Sequence, residues 1–370
     1  MLRIAKCIAL LTSVTVFLLL AQGWDARDID EVAIYSSEGY DVEDGAVRVH
    51  VTGVSAVFMR DGGANALLIS TDGQTMGDAL DARSRGLPDE LLYGALQSVL
   101  FGRAAAEAGI GEYADANVRS AQTNLNAYAA VAEPDCAAVY RQKAGSADDV
   151  GVLLAQLLRG ADLNSFMPTM TVSELALTLR ARDRGDAMLP ILVPAEDGVR
   201  FDGVACFRGD RMVGDLRGRE AAAAVMLRGQ RCTGAYPYEV TYSDGEQDHG
   251  TVVLSNRRTV SVAREGDRPV FTITVQLRGD LAEHSSPRPS TEDPSRRAQL
   301  EQAIRSDVER VCLRVLRTVT EEMRCDCLDL TRFAKPLWRC DPPEDLRALL
   351  ENARIRLRVQ VSLSGSGETD

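Results

Sequence analysis

Two apolar patterns late in the chain constrain its fold more than anything else in it. Over Gln299–Glu322, Leu300, Ile304, Val308, Val311, Val315 and Val319 recur at spacings of four and three. That spacing predicts a long helix with a single core-facing stripe. Over Ile355–Leu363, apolar residues alternate strictly with Arg356, Arg358, Gln360 and Ser362. That period of two predicts a strand with one buried face. A one-faced helix and a one-faced strand each need a layer to cover them, so layered α/β packing is expected.

The rest of the chain supplies further layers. Asp25 and Asp28 precede Ile29, Val32 and Ala33 at helical spacing, which predicts a short amphipathic entry helix. Glu43-Asp44-Gly45 is a turn signal, and Val47, Val49 and Val51 then alternate with Arg48 and His50 as a first strand. Strands are expected at Asn65–Ser70, Leu96–Phe101 and Leu125–Val131, with helices at Thr75–Ser84, Gly102–Ala108, Asp148–Arg159 and Val172–Arg182. Leu189–Asp202 carries Pro190, Pro194 and Gly198 and is taken as a crossing, which puts the main boundary near Glu196. Beyond it come a hairpin at Val204–Phe207 and Arg211–Val213, a helix at Asp215–Leu227, and strands at Thr251–Val262 and Val270–Leu277. A Pro-bearing loop at Glu283–Ser295, a short helix at Pro342–Leu350 and a Gly/Ser tail at Ser364–Asp370 complete the chain. The division is therefore residues 1–23 as leader, 24–196 as an N-terminal α/β region and 197–370 as a C-terminal domain. The N-terminal region is long enough to form two domains, at roughly 100–200 residues each.

Met1–Gly23 has a charged start (Arg3, Lys6), an apolar stretch Ile8–Leu20 and a small-residue end Ala21-Gln22-Gly23. These are the parts of a secretory signal, with cleavage expected between Gly23 and Trp24. Retention of the leader as an anchor is the alternative. The net charge of −12 argues against nucleic acid and against docking by overall charge on anionic lipid. Cys7 lies in the leader, which leaves Cys136, Cys206, Cys232, Cys312, Cys325, Cys327 and Cys340, an odd set that cannot pair fully within one chain. Cys325, Cys327 and Cys340 are open to three readings: buried thiols acting as small hydrophobes, a disulfide among them, or a metal.

No catalytic constellation stands out. His50, His249 and His284 are widely spaced, and HExxH, a P-loop, G-x-S-x-G and S-x-x-K are all missing. Gly109-Ile110-Gly111 has no third glycine at dinucleotide spacing. The expectation is no catalytic, cofactor-binding or metal-binding residue.

The order of short motifs resembles the Ger(x)C family, the C subunits of spore nutrient-germinant receptors. The chain opens with Trp24-Asp25-x-Arg27-Asp28-Ile29-x-Glu31-Val32-Ala33. Gly73-Gln74-Thr75, Tyr93–Phe101, Gly109-Ile110, Arg119 and Leu125–Ala132 follow in the family's order. Gly203-Val204-Ala205-Cys206-Phe207 through Val213-Gly214-Asp215-Leu216 is the most specific match, and Pro336-x-Trp338 resembles the family's Pro-x-Trp. Asp326-Cys327-Leu328-Asp329-Leu330 is similar to the family's Asp-Ile-x-Gly-x-Gly turn without its glycines, and Ala95 stands where a His is frequent. The residue before the Trp is normally a lipidated Cys and is Gly23 here, so lipidation at that point is not expected.

The resemblance implies three mixed α/β domains, the last an antiparallel sheet packed with a long helix. It also implies a non-catalytic protein without cofactors, on the outer face of the spore inner membrane. Its partners would be two integral-membrane receptor subunits, with membrane association through them or through an uncleaved leader. The alternative reading is an exported solute-binding protein of unrelated role. That would need two similar lobes, and the sequence has no internal duplication.

Overall fold

The structure is a computed structural model and describes residues 2–21, 32–43, 45–55, 65–86, 90–120, 123–142, 149–181, 184–266, 268–287, 293–337 and 350–366. Gly23 and Trp24, Ile29, Cys340 and residues 342–349 of the expected short helix lie outside the described residues. Helix α1 (Leu2–Ala21) covers most of the expected leader.

Strands β1 (Val32–Glu43), β2 (Ala46–Ser55) and β3 (Asn65–Gly73) form an antiparallel meander, followed by α2 (Met76–Gly86) and the short β4 (Glu90–Leu92). Then come β5 (Ser98–Gly102), α3 (Arg103–Ala108), α4 (Gly111–Arg119), β6 (Tyr128–Ala132), α5 (Cys136–Tyr140), α6 (Val150–Arg159), α7 (Ala161–Asn164) and α8 (Val172–Arg180). A second meander is made by β7 (Met188–Ala195), β8 (Gly198–Arg208) and β9 (Arg211–Arg217). These strands share one nine-stranded sheet in the order β3-β2-β1-β5-β6-β7-β8-β9, with β4 beside β1. Its centre, β1-β5-β6-β7, is parallel, and the intervening helices supply the crossovers that parallel strands need.

The central strands are buried on both faces. Alternate residues enter different cores: Val99, Ala129, Val131 and Ile191 pack with α2, α4 and α8, while Leu100, Ala130, Ala132 and Leu192 pack with α5 and α6.

The second sheet follows α9 (Gly218–Arg228) and comprises β10 (Thr233–Thr241), β11 (Gln247–Glu265), β12 (Arg268–His284) and β13 (Arg354–Ser366) in sequential order. Between β12 and β13 lies α10 (Pro294–Arg317), capped by Asp293, which accepts from the Ser295 N–H, and started by Pro294. The predicted stripe is its buried side: Leu300, Ile304, Val308, Val311 and Val315 are all under 4% exposed. These pack with Phe271, Ile273 and Val275 of β12, with α9, and with Met188, Val204, Cys206 and Leu216 of the first sheet. Helix α9 is thus the shared filling between the two sheets. It ends at Gly229, whose φ of +80° is the left-handed stop that glycine adopts without penalty.

Four details differ from the sequence reading. The expected C-terminal sheet is antiparallel over β10-β11-β12, but β13 lies parallel to β12, because α10 carries the chain back across the layer. Val32 and Ala33, expected in a helix, begin β1, where β4 pairs with both and β2 with Ala33 from the other side. The long helix does not continue regularly to Glu322; it widens into a π turn at Thr318–Glu322. Glu196 falls in the turn between β7 and β8, two paired strands of the first sheet.

Candidate functional site

Three clusters of polar side chains are built into this frame. The first crosses the edge of the large sheet. Register places His50 of β2 directly opposite Ser70 of β3, and Asp41 of β1 two residues from His50's other partner, Gly39. His50 Nδ1 is 2.7 Å from Ser70 Oγ, and Nε2 is 3.0 Å from Asp41 Oδ2. A serine, an imidazole and a carboxylate in line have the composition of a hydrolytic triad. The carboxylate, however, is already committed: Asp41 also accepts from the Cys136 N–H at 2.9 Å and the Ala137 N–H at 3.3 Å, and so caps α5. Burial alone would raise the Asp41 carboxyl, but the hydrogen bonds from His50 and Cys136 outweigh it and hold it below the ordinary value. The line therefore acts as a clasp from the edge strand to the helix beneath the sheet.

The second cluster lies deeper. Arg83 of α2 reaches Glu38 of β1 at 3.1 Å, with the two side chains 2% and 5% exposed. On the same side of the sheet Asn117 donates to Tyr40 Oη at 3.0 Å, and on the opposite side, facing α5 and α6, Ser36 Oγ donates to Asp149 Oδ1 at 2.7 Å and Ser37 Oγ and Tyr140 Oη lie 2.8 Å apart. Burial, then the nearby Glu38 charge, pushes the Tyr40 phenol well up.

The third cluster joins the two sheets. Asp186, just before β7, accepts from Gly209 N–H and from Asp326 N–H, both at 2.8 Å. Asp326 in turn accepts from Leu330 N–H at 2.8 Å and Thr331 N–H at 2.9 Å, and burial raises its carboxyl to about 6. Arg228 of α9 donates to the carbonyls of Asp186 and Cys327, and Arg258 of β11 to those of Leu227 and Leu328. Burial, and secondarily the Arg332 charge, lowers Arg258 to about 10. Asp329 sits at φ +53° and accepts from Gly185 N–H at 3.1 Å. An Asp tolerates the left-handed conformation better than most residues, and its carboxylate ties the turn to Gly185. A cleft of about 580 Å³ opens beside this knot, lined by Glu174, Arg184, Arg228, Gln230, Asp329 and Arg332 among others. Its charged groups are largely spoken for: Arg228 by the carbonyls, Arg332 by Asp329 at 2.9 Å, and Glu174 by the capping box of α8.

Of the expected site residues, Gly23 and Trp24 lie outside the described residues. The three histidines do not converge. His50 sits in the first sheet, while His249 and His284 meet at one end of the second, where Asp248 accepts from the N–H groups of Ser285 and Ser286. Cys206, Cys232, Cys312, Cys325 and Cys327 are free and buried, as is Cys136. Cys327 Sγ lies 3.3 Å from Cys206 Sγ, two thiols in contact across the seam. No group of metal-binding side chains occurs among the described residues. Sequence reading missed Asp41, Ser70, Glu38, Arg83 and Asp186, because their partners lie on other strands and helices and only register brings them together.

Residues 25–194 match the family model for the spore germination protein N-terminal domain, and residues 202–367 match that for the spore germination B3/GerAC-like C-terminal region. No curated protein sequence matches. Among solved structures the fold is similar to that of the GerBC protein, with a TM-score of 0.57 at 13% identity, covering 88% of this chain and 97% of that one. With nearly its whole length matched in order by the two halves of one family, the chain belongs to the Ger(x)C family of spore germination proteins.

Proposed function

We propose that this chain is the extracytoplasmic C subunit of a spore nutrient-germinant receptor and acts there without catalysis of its own. It works with two integral-membrane subunits on the outer face of the spore inner membrane, supporting nutrient-triggered germination. The observation that carries this reading is the pair of family matches, at 25–194 and 202–367, in one uninterrupted order. The polar clusters support it physically. Each of the three ends in backbone N–H groups, carbonyls or a matched charge, which is what a scaffold for docking needs. On this reading residues 1–23 are the export leader or an anchor, and residues 24–196 and 197–370 are the units that meet the membrane subunits.

The test is genetic and biochemical. Spores lacking this chain should lose germination on nutrients yet still respond to a trigger that bypasses receptors. Affinity-tagged protein from spore membranes should bring down two membrane subunits. Normal nutrient germination without the chain would overturn the proposal.

A further inference from the structure

Among the described residues the second sheet is covered on one face only. Helices α9 and α10 pack on the side carrying Phe271, Ile273 and Val275, and the opposite side is open. Register across β11, β12 and β13 lays out that open side in rows. Arg356 lies in the row of Thr272, Arg358 in the row of Thr274, Arg257 in the row of Gln276, and Arg278 in the row of Ser255. All four arginines are exposed. Every other position of these rows is Ser, Thr or Gln, and none is acidic. The acids stand at the ends: Glu265, 2.8 Å from Arg356, at one, and Asp280, bonded to Ser364, with Glu239 of β10 at the other. Neighbouring strands are about 4.8 Å apart and alternate residues about 6.7 Å apart, so the patch measures roughly 20 by 10 Å.

This is a cationic face on a chain whose net charge is −12. The average hides it, and the average is the wrong guide. At physiological ionic strength a charge is screened over about 8 Å, so an object touching this face feels its arginines and little of the remaining surface. The composition argument against anionic lipid therefore fails locally.

We propose that the open face of the β10–β13 sheet rests on the headgroups of an anionic phospholipid surface, with Arg257, Arg278, Arg356 and Arg358 engaging phosphates. The surface chemistry favours lipid over a protein partner. Protein interfaces draw their affinity from aromatic and aliphatic anchors in pockets, and these rows offer none. A flat bed of hydroxyl and amide groups studded with guanidiniums matches a layer of phosphate oxygens, which the planar guanidinium fork binds in pairs. The choice of lipid over nucleic acid rests on the extracytoplasmic, membrane-associated reading above.

The test is co-sedimentation of the purified full chain with phosphatidylcholine vesicles, with and without phosphatidylglycerol. Helix α1 can itself partition into either vesicle, so the readout is the preference for the anionic one. That preference should be clear at low salt and fade as salt rises. Each arginine near such a surface contributes roughly fivefold to partitioning, so R356Q/R358Q should cut the preference by over tenfold while binding to neutral vesicles stays the same. R85Q/R119Q removes two charges elsewhere, both more exposed, and should leave it intact. E265Q should strengthen it by freeing Arg356. Unchanged melting curves establish that the variants are folded. No preference, a preference untouched by R356Q/R358Q, or duplex DNA binding in place of vesicle binding would each overturn the proposal. The assay uses the chain alone, so it can succeed even if spores lacking the chain germinate normally.

Discussion

The two sheets solve the same problem with opposite materials. The first has helices on both faces, and its interior admits charge: Glu38, Asp41, His50, Arg83 and Asp149 are all buried. The second has helices on one face, and the core beneath it is built from Leu, Ile, Val, Phe and Tyr side chains, with arginines on the open side. A doubly covered sheet cannot send its polar groups to water, so each must find a partner inside the protein. A singly covered sheet separates the two classes by pleat, and its buried charges Asp248 and Arg296 are confined to the end beside the β10–β11 turn, where Tyr238 and Glu246 partner them. The N-terminal half should therefore fail abruptly when one partner is lost, and the C-terminal half in proportion to the apolar volume removed.

The strongest way to break this comparison is Arg83→Met. It leaves Glu38 buried and uncompensated and should destabilise the protein by about 3–5 kcal/mol in a denaturant titration. The double variant Glu38→Gln/Arg83→Met should recover most of that loss, because Gln still accepts from Tyr40 while carrying no charge. A double variant as unstable as the single would mean that the pair matters for shape and not for charge. In the other half, Ile304→Ala should cost roughly 2–5 kcal/mol. Here no second substitution across the core should rescue it by neutralising anything; only refilled volume should.

Acid sharpens the contrast. Asp41 is held below the ordinary carboxylate value, so it stabilises the native state above that value, and the benefit disappears as pH falls through its native pKa. Asp326 is raised from 3.8 to about 6, so the native state binds its proton more tightly than the unfolded chain does. Its burial costs nothing below about pH 4 and its full penalty above about pH 6, up to about 3 kcal/mol for a shift of this size. Asp326→Asn carries no such proton. Its stability relative to the parent should therefore improve as pH rises from 4 to 6, read from urea midpoints across that range. Parallel profiles for the two proteins would remove Asp326 from the account.

The same division decides what the sequence made legible. Strand β13, strand β12 and helix α10 were readable because one-faced burial writes a clean period of two or 3.6. Strand β10 carries the same alternation, with Tyr236, Tyr238 and Val240 buried, but Gly234 and Pro237 mask it. In the first sheet β2, β3, β5, β6, β8 and β9 stay legible as short apolar runs, but in β1 the signal is erased. Ser36-Ser37-Glu38-Gly39 holds no apolar residue and is the middle of a buried strand, because its polar groups are satisfied from α2, α5 and the residue capping α6. Helix α4 escaped notice for a related reason: its buried side includes Asn117, held by Tyr40. Pro190 and Pro194 look like a crossing yet sit within β7. The three clusters were illegible throughout, since each depends on pairs far apart in sequence.

The smallest effect tests burial itself. Arg48 on β2 pairs with Glu43 at 2.8 Å and with Asp72 at 2.5 Å, two carboxylates where Arg83 has Glu38. By contact count alone Arg48 should matter more. Its side chain is 40% exposed, however, so water solvates both states and salt screens what remains. Arg48→Gln should cost about 0.2–1 kcal/mol in low salt and less in high salt, whereas the loss in Arg83→Met should hardly depend on salt. Both substitutions remove a guanidinium paired with a first-sheet strand, Arg48 from β2 itself and Arg83 from α2 packed on it, so the ratio between them isolates the surroundings. A salt-insensitive loss of several kcal/mol in Arg48→Gln would show that the edge of this sheet is as closed to water as its centre, and the contrast between doubly and singly covered sheets would then rest on the second sheet alone.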